Sequence, residues 1–183
     1  MSATARKKNS ARAPATTVAV AVAVMIACRR WRTALPGVKA RAEAAARAAL
    51  RRLYRGRVPA RGIELSLVLG DDRLVRGLNR RWRGQDRPTN VLAFATGEPA
   101  AGAAPLLLGD VVLAFETVQR EAMEQGKPLA DHLVHLVTHG VLHLGGYDHQ
   151  AAPEARRMEA LERRILAELG VPDPYDAWAS ADV

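Results

Sequence analysis

The chain has 183 residues, 49% of them hydrophobic, which allows one compact domain with a sizeable core and excludes a disordered or fibrous polypeptide. Its 27 lysines and arginines against 19 acidic residues leave a formal charge of +8. Arginine carries nearly all of it, since lysine stands only at Lys7, Lys8, Lys39 and Lys127. Such a surface suits polyanions, although an Ala- and Arg-rich composition is equally what a GC-rich coding sequence produces. The single cysteine, Cys28, excludes an internal disulfide and a cysteine-built zinc knuckle, and fits a cytoplasmic protein.

Residues 1–15 are small, polar and basic without an apolar period and read as a disordered extension. The apolar run 16–28 that follows Arg6, Lys7, Lys8 and Arg12 imitates a signal peptide. Three features argue for a strand over 17–28 instead. Val18, Val20, Val22 and Val24 alternate with alanines, the period of a strand. Arg29, Arg30 and Arg32 follow at once, and the run is too short to span a bilayer as a helix. No membrane association is expected.

Residues 36–54 read as an Ala- and Arg-rich helix with a solvated basic face. Residues 62–70 read as a second strand. Asp71 and Asp72 can cap a helix carrying Leu74, Leu78 and Trp82 on one face, which makes Trp82 a core residue. Residues 90–95 and 106–115 are the third and fourth strands, with a Gly-, Pro- and Ala-rich loop between them. Asp110, within the fourth, is either functional or a bulge residue. A short helix over 116–125 ends at Gly126. Pro128 opens a longer helix, and a last helix over 153–169 stops at Gly170 and Pro172. The sum is a single α+β domain over 16–175, with a mixed sheet of about four strands, about five helices and a tail over 176–183.

All five histidines lie between 132 and 149. At about 100° per residue, His132, His135, His139 and His143 share one stripe at the border of the helix's apolar face, where a cleft wall would be. His139 and His143 leave the same face on successive turns and can reach one ion. Gly145 and Gly146 then end the helix and allow the chain to bring His149 back. Three imidazoles with a fourth position open describe a catalytic rather than a structural zinc site, here one ion on His139, His143 and His149. The spacing is that of the metzincin proteases, whose helix is zincin-like, but these carry glutamate directly after the first histidine as general base. Here Gly140 stands there, and a glycine moves no proton. His135, one turn earlier, reads as a supporting or packing residue.

The run HGVLHLGGYDH (139–149) resembles the signature of the bacterial endoribonuclease YbeY family. LNRRWRGQDRPTNVLAFAT (78–96), LLGDVVL (107–113) and MEALERRILAELGVPDPY (158–175) resemble its other characteristic stretches, in the same order. The resemblance implies a zinc-dependent, single-strand-specific endoribonuclease that processes the 3′ end of small-subunit ribosomal RNA and acts in ribosome quality control. Its partners would be precursor rRNA, the small ribosomal subunit and assembly factors. It implies zinc at His139, His143 and His149, and a functional arginine that maps onto Arg83. Residues 1–30 inherit nothing from it.

Arg73, Arg76, Arg80, Arg83 and Arg87 recur at helical spacing, and such a strip can track a phosphate backbone. Arg83 could hold the scissile phosphate with its two-pronged guanidinium. Asp148, beside His149, could orient a ligand imidazole, accept a proton, or only cap the turn. Trp82 and Tyr147 are the aromatic candidates for base stacking. Two other functions compete with the nuclease: another zinc hydrolase, against which Gly140 counts where a peptidase is meant, and a non-catalytic ribosome-assembly factor.

Overall fold

The computed structural model describes residues 20–55, 59, 61–96, 105–148 and 151–176. The basic extension over 1–15, most of the tail over 176–183 and His149 therefore lie outside the described residues.

The described chain runs β1 (Val20–Ile26), α1 (Arg30–Ala34), α2 (Val38–Leu53), β2 (Ile63–Gly70), α3 (Asp72–Arg83), β3 (Val91–Ala95), β4 (Leu106–Ala114), α4 (Phe115–Glu124), α5 (Leu129–Leu144) and α6 (Ala152–Glu168). Its strands form one mixed sheet in the order β1-β2-β4-β3. β1 pairs with β2 and β2 with β4 in parallel, and β3 runs antiparallel along the outer side of β4. The expected α+β class is borne out.

Patterning explains the layers. In β1, Val20, Val22, Val24 and Ile26 turn to the core and Ala21, Ala23 and Met25 turn away, so residues 20–26 of the run that imitates a signal peptide form an edge strand of the sheet. β4 is apolar at successive positions because both faces are covered. Val111 and Leu113 belong to the main core under α2, α5 and α6, while Val112 and Ala114 pack with Val75 of α3 and Leu92 of β3 on the other side. A bulge at the Glu64–Leu65 step skips Leu108; Gly109 resumes the ladder opposite Leu65, and Asp110 is regularly paired opposite Ser66.

Three sequence expectations change. A sixth helix, α1, is present because Trp31 anchors it. The indole is fully buried, donates to the carbonyl of Gly70 at 2.8 Å and meets Phe115 edge-on at 5.0 Å. α2 has more than a basic face: Ala42, Ala45, Ala46, Ala48 and Ala49 are buried, and these small side chains let it lie close against its neighbours.

Trp82 is not core but 63% exposed. The buried stripe of α3 is Val75 and Asn79, one residue off the Leu74–Leu78–Trp82 row. Asn79 is buried because its amide donates to the carbonyl of Arg87 at 2.8 Å and ties down the chain leaving the helix. Hydrophobic periodicity chose the more apolar arc and could not foresee that backbone acceptor.

Candidate metal centre and cleft

α5 carries the site. It crosses β3 and β4 so closely that a Cβ at Gly140 would lie 2.6 Å and 3.2 Å from the methyls of Val111 and 3.4 Å from Val91. The valine is branched at Cβ and fully buried, so it has little room to yield. Gly140 is thus the contact point between helix and sheet, and a glutamate there would not fit without moving the helix. At its other end α5 stops at Leu144. Gly146 adopts φ +86°, and its amide and that of Tyr147 close onto the carbonyls of His143 and Leu142 at 3.0 and 3.1 Å. This turn brings Tyr147 and Asp148 back beside the helix.

The two central histidines meet head to head. His139 Nε2 and His143 Nε2 are 3.0 Å apart, with ring centroids at 4.5 Å and planes at 79°. The other nitrogen of His139, Nδ1, lies 2.8 Å from Oε1 of Glu162, a carboxylate of α6 with no exposed side-chain surface. Burial alone would raise the pKa of Glu162. The imidazoles of His135 and His139 and the hydroxyl of Tyr175 outweigh it and hold the group at about 2. Tyr175 donates to Oε2, and burial together with Glu162 pushes its own pKa upward, so it stays a donor.

An ionised Glu162 can only accept, which makes His139 Nδ1 the donor and leaves the lone pair of Nε2 directed at the cleft. Sequence reasoning missed Glu162 and Tyr175. A signal existed: Met158, Glu162, Ile165 and Leu166 form the buried stripe of α6, and a glutamate in such a row needs a partner.

This donor set fits a metal ion in two ways that share His139. His139 and His143 converge through Nε2 from the cleft side. On the inner side, ligand atoms of His135, His139 and Glu162 lie within 4.8 Å of one another and could hold an ion. His135 Nε2 is 3.6 Å from Glu162, too long for a hydrogen bond, and both its ring nitrogens are buried without a hydrogen-bond partner among the described residues. His132, expected on the same stripe, is 4% exposed and bonds Glu121 at 2.9 Å instead.

In front of His139 and His143 opens a cleft of about 790 Å³. Arg83, Asn90, Val91 and Asp148 line it together with the two histidines. Arg83 comes from the last turn of α3, which Gly84 ends, and is exposed. The described members of the expected site (Arg83, His139, His143 and Asp148) thus share one cavity. Asp110 does not line it.

A sequence model of the family Endoribonuclease YbeY matches residues 27–170. The protein named Endoribonuclease YbeY from Paramagnetospirillum magneticum is 54% identical over 87% of this chain and 98% of its own. Those of the same name from Methylocella silvestris and Azorhizobium caulinodans are 58% and 52% identical, over 61% and 78% of this chain and 62% and 89% of theirs. The solution structure of TM1509 from Thermotoga maritima aligns with 81% of this chain and 91% of its own at 21% identity and a TM-score of 0.49. The extent of the family match and the near-complete alignment with the Paramagnetospirillum protein lead to one assignment: the chain belongs to the YbeY endoribonuclease family.

Proposed function

We propose that this protein is a zinc-dependent endoribonuclease that cuts single-stranded RNA, with precursor small-subunit rRNA as its substrate in the cytoplasm. The observation that carries the reading is the convergence of His139 Nε2 and His143 Nε2 at 3.0 Å in a cleft that Arg83 also lines. A pair of imidazole lone pairs suits a borderline metal such as zinc, and His149 is the third ligand. When bound, zinc supplies Lewis acidity toward a phosphoryl oxygen, or a nucleophile at neutral pH by lowering the pKa of water toward ~7.

The chain's own groups do the rest. Arg83 grips a phosphate with two parallel N–H donors and sets the phosphodiester in the cleft. Glu162 and Tyr175 fix the ring of His139. Asp148 orients an imidazole or takes a proton from the attacking hydroxyl, which is either water or the 2′-OH of the RNA itself. Peptidase chemistry is disfavoured by the helix–sheet contact at Gly140, which leaves no place for the glutamate that metzincins use. No described helix is long and apolar enough to cross a membrane.

The test is complementation of a depletion strain, scoring precursor against mature small-subunit rRNA ends. Precursor should accumulate on depletion, and wild type but not His143→Ala should remove it. Full rescue by His143→Ala would show that the metal chemistry is dispensable and would favour an assembly-factor role.

A further inference from the structure

β3 is an edge strand, and its alternation separates two surfaces. Val91, Ala93 and Ala95 line the histidine cleft, while Leu92 and Phe94 turn to the side covered by α3. The last turn of α3 serves both. Arg83 enters the cleft, and Trp82, about 100° further round the helix, stands outside it near Phe94, with centroids 6.4 Å apart. Trp82 is 63% exposed, and the guanidinium of Arg81 lies 5.3 Å from its ring centroid. So open an indole is not held there by packing.

Beside it along α3 runs a groove lined by Leu74, Gly77 and Leu78, with Arg73 and Arg81 at its sides and Asp71, which accepts from the amide of Leu74, at its end. Of the six arginines between Arg73 and Arg87, Arg76 alone forms an ion pair among the described residues, with Asp86 at 2.8 Å. An aromatic and apolar strip beside Arg73 and Arg81, neither in an ion pair among the described residues, complements a polymer that alternates flat bases with phosphates.

We infer that Trp82, with Arg81 and Phe94 beside it, is a nucleobase-stacking subsite for single-stranded RNA, reached from the metal cleft past Arg83 and around the edge of β3. This rests on the RNA reading above and extends it beyond the cleft. A single strand can splay a base onto the indole, whereas a duplex keeps its bases stacked inside, so the subsite favours unpaired substrate.

The test is equilibrium binding of a fluorescein-labelled, 2′-O-methyl single-stranded oligoribonucleotide to the full-length, zinc-loaded protein across a salt series. Trp82→Ala should weaken binding roughly tenfold, the scale of one lost stacked base, and Trp82→Phe should restore most of it. The slope of log K against log salt should not change for Trp82→Ala, because no phosphate contact is lost. It should fall by ~0.7 for Arg83→Ala. Bound zinc should stay at the wild-type level in both tryptophan variants.

If Arg83→Ala binds weakly and Trp82→Ala binds as tightly as wild type, the stacking subsite is wrong and the RNA reading survives. If wild type shows no salt-dependent binding, the RNA reading fails and takes the subsite with it.

Discussion

The two halves of α5 carry histidines on the same stripe and use them differently. In the first half, His132 is 4% exposed and gives one nitrogen to Glu121 at 2.9 Å, while its other nitrogen is buried without a hydrogen-bond partner among the described residues. In the second half, His139 also spends one nitrogen on a buried carboxylate, Glu162 at 2.8 Å, but its other nitrogen faces a cleft and the ring of His143. A histidine–carboxylate pair is therefore common to both. It supports chemistry only where the second nitrogen reaches a space that a ligand can enter, and the sheet edge at β3 provides that space.

His139→Ala separates the two halves of α5 most sharply. It should abolish zinc binding measured by elemental analysis, since His139 belongs to both possible ligand frames, while His132→Ala should leave bound zinc at the wild-type level. Equal loss in the two variants would mean that the halves are not distinct.

Glu162→Gln comes next. The amide can no longer fix the imidazole tautomer as a carboxylate does, and zinc affinity should fall about 10- to 100-fold in a competitive chelator titration. An unchanged affinity would remove Glu162 from the support of the site.

Gly140→Ala probes the wall between helix and sheet. A methyl 2.6 Å from Val111 should lower stability by about 1–3 kcal/mol in urea unfolding of the metal-free protein. A neutral result would show that the sheet yields there.

The smallest effect concerns the first half. Burial would raise the pKa of Glu121, but hydrogen bonds from His132 and Asn90 outweigh it and depress the group below its ordinary value of 4.5. A depressed carboxylate contributes stability that is present above the unfolded value and is lost as pH falls through the folded one. Glu121→Gln should therefore lose less stability than wild type on acidification below about pH 4.5, as followed by thermal unfolding. Parallel curves would contradict the pairing.

Much of this was legible in the residues. The alternating valines of β1, the cap at Asp71 (whose carboxylate accepts from the amide of Leu74 at 2.8 Å) and the glycine stop after His143 are local signals, and each produced the element expected. Spacing and resemblance point to His139, His143, Arg83 and Asp148, and these four share one cavity.

What was not legible depends on contacts distant in the chain. Glu162 lies 23 residues beyond His139, and helical periodicity alone does not say which polar group its neighbours will present. Trp82 lies outside the core because the burial of α3 turns on the hydrogen bond from Asn79 to the carbonyl of Arg87. The alanines of α2 look neutral in sequence and become a packing face only once a second helix lies on them.

In the function we propose, the metal sits on the cleft side of His139 rather than on its inner side, where His135 and Glu162 also face it. The most direct measurement is the zinc stoichiometry of His143→Ala beside that of His135→Ala. His143→Ala should lose the metal and His135→Ala should retain one equivalent. Retention in His143→Ala with loss in His135→Ala would contradict it and move the ion to His135, His139 and Glu162.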